Sequence, residues 1–367
     1  MQTVVFYISG HGFGHASRDI EVINVLVTRR DDLRVVVRTA ARRWLFDLTL
    51  ARPIEVQGVE CDTGVVQIDS LHLDERETIR QAAAFHADLA ARAAREARFL
   101  EEAAAALVVG DIPPLAFAGA ASAGVPSIAL GNFSWDWIYE GYAAHLWQAP
   151  GLVDTIRAAY STASLALRLP MSGGFDAFPE VRDLPLIARR SARGREEVRR
   201  ALGLPRDRRL VLLSYGGYGL DLFDLDTVAH LRGYSVVTTD HVSRSARTAP
   251  ESVFSVNEQE LYAAGYRYED LVAAVDVVAT KPGYGIVAEC AANDTAILYT
   301  SRGHFVEYDV LVAAMPRFTR CRFISNEELY AGRWAPHLDA LLAQPAPPER
   351  PAANGAEAAA GIILSRL

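Results

Sequence analysis

The chain has 367 residues, half of them hydrophobic and 22% charged, with a formal net charge of −8, which suits a folded protein of two ordinary domains. There is no basic arm and no dense Lys/Arg block beyond 189–200, so nucleic acid is excluded as an expected partner. Cys61, Cys290 and Cys321 are too few and too scattered for a disulfide framework or zinc cluster, and no window approaches the ~20 apolar residues of a membrane span, so a cytoplasmic protein without a transmembrane segment, leader or bound metal is expected.

In chain order, Val4-Val5-Phe6-Tyr7-Ile8 predicts a buried strand that breaks into Ser9-Gly10-His11-Gly12-Phe13-Gly14-His15. From Ala16 the spacing of Ile20, Ile23 and Val27 predicts a helix, so the glycines Gly12 and Gly14 lie where a strand hands over to a helix start. Imidazole has the side-chain pKa closest to neutrality, which makes His15 a candidate base and His11 its reserve; the alternative is two loop residues with satisfied hydrogen bonds. Strands are expected at 33–37 and 54–56, then one long Ala/Arg/Glu helix over 75–107. The strand beginning at Leu107 ends in Val109-Gly110-Asp111, and a carboxylate at that strand end can orient an imidazole or cap the next helix. After a strand at 127–130, Phe133, Trp135 and Trp137 offer aromatic faces, either to an acceptor or to an interdomain cleft. Leu165 to Pro170 reads as the last strand of the first half, and 171–187 as the crossing.

The second half opens with Leu210 to Ser214, which runs into a glycine turn containing Gly216 and Gly217. Asp224-Leu225-Asp226 reads as a helix start, and the Tyr262–Tyr268 loop, with Tyr268, as a place for a nucleobase. The apolar run Leu271 to Thr280 predicts a buried strand, followed by Lys281-Pro282-Gly283-Tyr284-Gly285 and a helix carrying Glu289. Gly283, Gly285 and the backbone around Tyr284 let a phosphate approach helix N–H groups, Lys281 adds charge, and Glu289 accepts from sugar hydroxyls; together these suit a nucleotide sugar. Beyond a strand at 296–300 lies Glu307, and a proline-rich link precedes a last helix from about Asn354. Strands alternating with helices in both halves predict two α/β parallel-sheet domains, 1–170 and 186–348, with 349–367 a terminal helix that packs back on the first.

These residues resemble the GT-B glycosyltransferases, in which two Rossmann-like domains face each other across a cleft, and most nearly the UDP-sugar-using group that includes plant and antibiotic enzymes and the peptidoglycan transferase. The resemblance implies that Gly14-His15 carries the catalytic histidine and Asp111 its partner. It further implies a donor signature in Lys281, Gly283 and Glu289, with Glu289 on the ribose and Glu307 near the donor sugar's hydroxyls. The Gly-His-Gly-Phe-Gly-His-Ala run and the Gly-Tyr-Gly turn are similar to the transferase-like N-terminal region of arabinokinase-type proteins, here with no kinase domain expected to follow. Gly14-His15-Ala16-Ser17-Arg18 also fits the Gly-His-x-x-Arg pattern of a nucleotide-sugar hydrolase of pseudaminic acid synthesis.

The resulting expectation is an inverting, metal-independent glycosyltransferase that moves a sugar from a nucleotide sugar, with UDP-sugar the expected cosubstrate and no cofactor, to a hydroxyl acceptor. A hydrolase using water, or a nucleotide-sugar-binding module without turnover, are the alternatives. The acceptor, the sugar and the oligomeric state stay open.

Overall fold

The computed structural model describes residues 2–69, 71–215, 223–239 and 252–367. Seven strands make one sheet: β1 (Gln2–Ile8), β2 (Leu33–Thr39), β3 (Glu55–Gly58), β4 (Ala105–Asp111), β5 (Ser127–Phe133), β6 (Leu165–Gly173) and β7 (Val181–Asp183). Six make the other: β8 (Arg209–Ser214), β9 (Tyr234–Thr239), β10 (Val253–Val256), β11 (Val277–Thr280), β12 (Ala296–Tyr299) and β13 (Cys321–Phe323). The orders are β3-β2-β1-β4-β5-β6-β7 and β10-β9-β8-β11-β12-β13, with every pairing parallel. These are two Rossmann-like sheets of the same winding, as the alternation of strand and helix predicts.

Side chains on a strand alternate faces, and both faces of these sheets are covered, so the strands read as continuous apolar runs. Val4, Phe6 and Ile8 of β1 pack with Ile20 and Ile23 of helix Gly14–Arg29, while Val5 and Tyr7 join Ile79, Phe117 and Tyr160 on the other face. In the second half Leu210 and Leu212 of β8 face the same inner core as Val4, whereas Val211 and Leu213 turn towards Trp334. The inner core is therefore one apolar layer continuing through both halves, and Ala359 and Ile363 of the last helix, Gly355–Leu364, belong to it. That helix lies against Gly14–Arg29, where Arg29 Nη1 donates to the Glu357 carbonyl at 3.3 Å.

Three expectations need correction. The chain over 75–107 forms two helices, Glu75–His86 and Leu89–Glu102, ahead of β4. The break falls at Asp88, whose φ of −114° and ψ of 25° leave the helical region, and a carboxylate there suits a new helix N-terminus. Leu271 to Ala274 is the end of helix Tyr268–Ala274 rather than strand; its start is capped by Asp270 accepting from the Arg267 N–H at 2.9 Å. A buried helix and a buried strand present the same apolar run, which explains the misreading. Finally, the boundary at 170 falls inside β6, and β7 extends the first sheet to Asp183.

The crossing and the last helix are joined at Gly355, whose N–H donates to the Leu186 carbonyl at 2.9 Å. A Cβ on Gly355 would sit 2.4 Å from the Pro185 oxygen, 2.7 Å from the Leu186 oxygen and 2.8 Å from Ile187 Cγ1, so backbone would have to shift. Gly355→Ala is expected to cost about 1–3 kcal/mol, the usual range for overpacking, and to lower the melting temperature by several degrees in calorimetry; an unchanged transition would show that the contact is not tight in solution.

Candidate active site

In each sheet the strand order reverses beside its first strand, between β1 and β4 and between β8 and β11. Ligands of open parallel sheets bind at the carboxyl ends of strands at such points. The four strand ends deliver the Gly10–Phe13 loop, Asp111, Tyr215 and Lys281, and between the halves lies a cavity of about 480 Å³, ample for a small-molecule site. Gly12, Gly14 and His15 line it from the first half; Lys281, Gly283 and Glu289 line it from the second. The two helix starts come close: a methyl on Gly285 would lie 3.6 Å from the Gly14 Cα. Gly12 has φ +74°, in the left-handed region that favours glycine.

On the first-half wall His15 is buried, and its Nδ1 lies 2.8 Å from Asp111 Oδ1. Arg18 Nη2 also lies 2.9 Å from Nδ1; in the tautomer whose Nδ1 proton is donated to the carboxylate, Nε2 carries the lone pair. Asp111 is wholly buried and is also held by Arg18, whose Nε and Nη2 donate to its two oxygens at 2.5 Å each. Burial alone would raise the Asp111 pKa, yet Arg18, with help from His15, holds it well below the carboxylate range. Behind this pair, Asp62 accepts from Ser9 Oγ at 3.0 Å and from Trp135 Nε1 at 2.8 Å, and burial pushes its pKa up to about 6.

On the second-half wall the helix Tyr284–Ala292 starts at Gly283, and its first N–H groups have no partner within the helix. Lys281 Nζ donates to Gln67 Oε1 of the first half at 3.2 Å; burial, then the neighbouring Arg302, lowers its pKa to about 7. Glu289 is paired with Arg189, 2.6 Å from Nε, and Tyr268 shares a hydrogen bond of 2.6 Å with Ser214. Tyr262 and Tyr268 line the same end of the cavity. Tyr284 also lines it, but its hydroxyl accepts from the Ile187 N–H at 3.3 Å and its ring lies beneath Arg18. Glu307 is buried, with Oε1 2.7 Å from Asn132 Nδ2 and Oε2 3.0 Å from Arg302 Nη1.

Thus His15, Asp111, Lys281, Gly283, Glu289 and Glu307 converge, while other candidates are reassigned. Trp135 is fully buried, stacked on Tyr139 with its N–H spent on Asp62, so it cannot offer a face to an acceptor. Trp137 packs against Gly173, away from the cavity, which leaves Phe133 as the one member of that trio on its wall. The ring of His11 is stacked on Phe305, with Val65 N–H 3.3 Å from Nδ1 and the Gln67 amide 3.4 Å from Nε2. Burial first, then Arg302, His15 and Lys281, lowers its pKa well below the histidine range, and both ring nitrogens have neighbours of the first half. Gly216 and Gly217 lie outside the described residues. Asp224 Oδ1 accepts from the Asp226 N–H at 2.9 Å and caps the turn Leu225–Val228. Sequence reasoning missed Asn132, Arg189 and Asp62, whose partners are distant in the chain, and Arg302, five residues before Glu307; Arg18 entered only as the last residue of the Gly-His-x-x-Arg pattern, without a role.

No family model matches the sequence. Over 365 residues the chain is 30% identical to the L-arabinokinase of Arabidopsis thaliana, covering 98% of this chain but 34% of that protein, so it spans about a third of the length of the curated relative it matches. Among solved structures, the glycosyltransferase of kitacinnamycin superposes with a TM-score of 0.64 at 18% identity, over 100% of this chain and 99% of that one. The chain has the GT-B fold. The calicheamicin glycosyltransferase CalG4 agrees (TM-score 0.64, 16% identity, 100% and 98% covered). So does Phytolacca americana UGT2, solved with UDP-2-fluoro-glucose and pterostilbene (TM-score 0.61, 12% identity, 100% and 94% covered). Among the described residues no helix is long and apolar enough to cross a membrane.

A titrating group lies behind the cavity-lining pair Arg189 and Glu289. Glu21, from the first-half helix, sits near Arg189, Arg267, Glu269 and Glu289; burial, together with the two carboxylates, outweighs the arginines and raises its pKa to about 7. The native state therefore keeps a proton that the unfolded chain has lost, so stability falls as pH rises from about 4.5 through 7 and stays lower above it. Glu21→Gln is expected to be more heat-stable than wild type at pH 8, with the difference shrinking towards pH 5; a constant difference across a melting series would contradict the assignment.

Proposed function

We propose that this chain transfers a glycosyl group from a nucleotide sugar, a UDP-sugar first among candidates, to a hydroxyl acceptor with inversion at the anomeric carbon. The observation that carries the reading is the shared cavity: an imidazole backed by a buried carboxylate on one wall faces a lysine and a helix N-terminus on the other. His15 Nε2 takes the acceptor proton as its oxygen bonds to the anomeric carbon, and the bond from that carbon to the diphosphate breaks on the opposite face. Lys281, Arg302 and the amides of Tyr284 and Gly285 meet the charge that develops on the departing diphosphate, the task a metal ion serves elsewhere. Glu289, steadied by Arg189, accepts from the ribose, and Tyr262 and Tyr268 lie along the base. The GT-B neighbours support the reading, and the likeness to an L-arabinokinase puts UDP-L-arabinose on the donor panel.

Incubation with UDP-sugars and a library of hydroxyl acceptors is expected to yield glycoside and UDP; stoichiometric free sugar with no acceptor would make water the acceptor and the protein a hydrolase. His15→Ala should lower turnover by roughly 10²–10⁴ while leaving UDP affinity near wild type, and wild-type turnover would remove His15 from the chemistry. Because Lys281 has a pKa of about 7 in the unliganded site and binds diphosphate as the cation, UDP affinity should weaken as pH rises above 7, by up to roughly tenfold per pH unit. Calorimetric titration should show this slope lost in Lys281→Met; a slope that survives the substitution would place the titrating group elsewhere.

A further inference from the structure

Glu307 opens the helix Glu307–Phe318 in the second half, yet one of its carboxylate oxygens is bound by a side chain of the first half. From there an unbroken series of buried contacts leads back to the imidazole. Arg302 Nη1 donates to Glu307 Oε2 at 3.0 Å and to the Pro282 carbonyl of the Lys281 turn at 3.1 Å. Asn132 Nδ2 donates to Glu307 Oε1 at 2.7 Å, and Asn132 Oδ1 accepts from Arg18 Nη1 at 2.6 Å. Arg18 then holds both oxygens of Asp111, which faces His15 Nδ1. Each of these six residues, from Arg302 to His15, is at most 9% exposed. The two arginines and two carboxylates cancel in charge, so the series is neutral before His15 takes a proton. The Asn132 amide accepts at one end and donates at the other, so it satisfies both neighbours in a single orientation.

We propose that Arg18 and Asn132 are positioning residues that couple the His15–Asp111 pair to the donor half through Glu307, so that Glu307 sets the base in place rather than holding a hydroxyl of the donor sugar. The inference rests on the reading of His15 as the base. Arg18 fixes the Asp111 carboxylate, and hence the His15 ring, at the height set by the opposite half. When the halves are in register around a donor, the base is aligned with the turn that grips the diphosphate. If they separate, Asn132 loses its Glu307 partner and the series is cut. Buried hydrogen-bonded networks of this kind act as units, and deleting any one member costs nearly as much as deleting two.

The test uses Glu307→Gln, which keeps the native size, Asn132→Ser, which removes the amide, and the double variant, together with Arg18→Lys, which keeps the charge but loses the fork. Each single change is expected to lower kcat by roughly 10- to 100-fold, the cost of a misplaced catalytic group, with KM for the nucleotide sugar within about threefold of wild type. The double variant should be no worse than the poorer single one, and Arg18→Lys should fall between wild type and Asn132→Ser. A readout that needs no turnover is the His15 ring resonance in ¹H–¹³C NMR, which should shift in Glu307→Gln and Asn132→Ser although neither side chain touches it. A raised KM with intact kcat in Glu307→Gln, losses that multiply in the double variant, or an unmoved His15 resonance would each overturn the proposal. Absence of sugar transfer or release by the wild type, with the resonance still shifting, would refute the functional reading and leave the coupling in place.

Discussion

A carboxylate with no contact with solvent must have its charge answered where it sits, and the answer to Asp111 organises the centre of this molecule. Arg18 supplies a fork that meets both oxygens, and His15 takes the remaining direction. Because Arg18 is three residues after His15, both project from the start of the same helix and reach the same strand end. The glycine loop before that helix brings its N-terminus to the edge of the sheet, and the second half repeats the plan, with β11, a glycine turn and the helix Tyr284–Ala292. The two helix starts meet at Gly14 and Gly285, so the cavity is the meeting of two equivalent ends of two equivalent sheets.

The parts of this plan that are legible in sequence are those that a strand forces. Val4 to Ile8, Leu107 to Val109 and Val277 to Ala279 are covered on both faces, so each is an apolar run, and the residues just after it stand at the sheet's carboxyl edge. That is why His15, Asp111 and Lys281 can be picked out before any coordinates. Arg18 stands out only through the Gly-His-x-x-Arg spacing, and its role does not, because its burial follows from a carboxylate 93 positions away. Asn132 and Arg189 are hidden because their partners lie far along the chain. Trp135 misleads in the opposite way: an aromatic cluster after a strand is equally a platform and a core, and the buried Asp62 beneath it decides for the core.

Three of the arginines that line the cavity are each met by a carboxylate. Arg18 answers Asp111, Arg189 answers Glu289 and Arg302 answers Glu307, while Lys281 is held at a pKa of about 7 by burial and by Arg302 beside it. A site in this condition is poised for an incoming polyanion, which restores the proton of Lys281 and gains helix amides without having to break an ion pair. Glu307 also accepts from Asn132 of the first half, and that hydrogen bond crosses between the halves and so ties the geometry of the base to that of the donor turn.

The central claim is that one nucleotide sugar lies between these halves with its diphosphate on the second and its anomeric carbon before the imidazole of the first. It is tested most directly by a crystal structure with a UDP-2-fluoro-sugar. The diphosphate is expected within hydrogen-bond reach of Lys281 Nζ and the Tyr284 and Gly285 amides, with the anomeric carbon on the His15 side and Glu307 still bonded to Asn132. A diphosphate bound away from the Lys281 turn, or a sugar turned from His15, would contradict the claim.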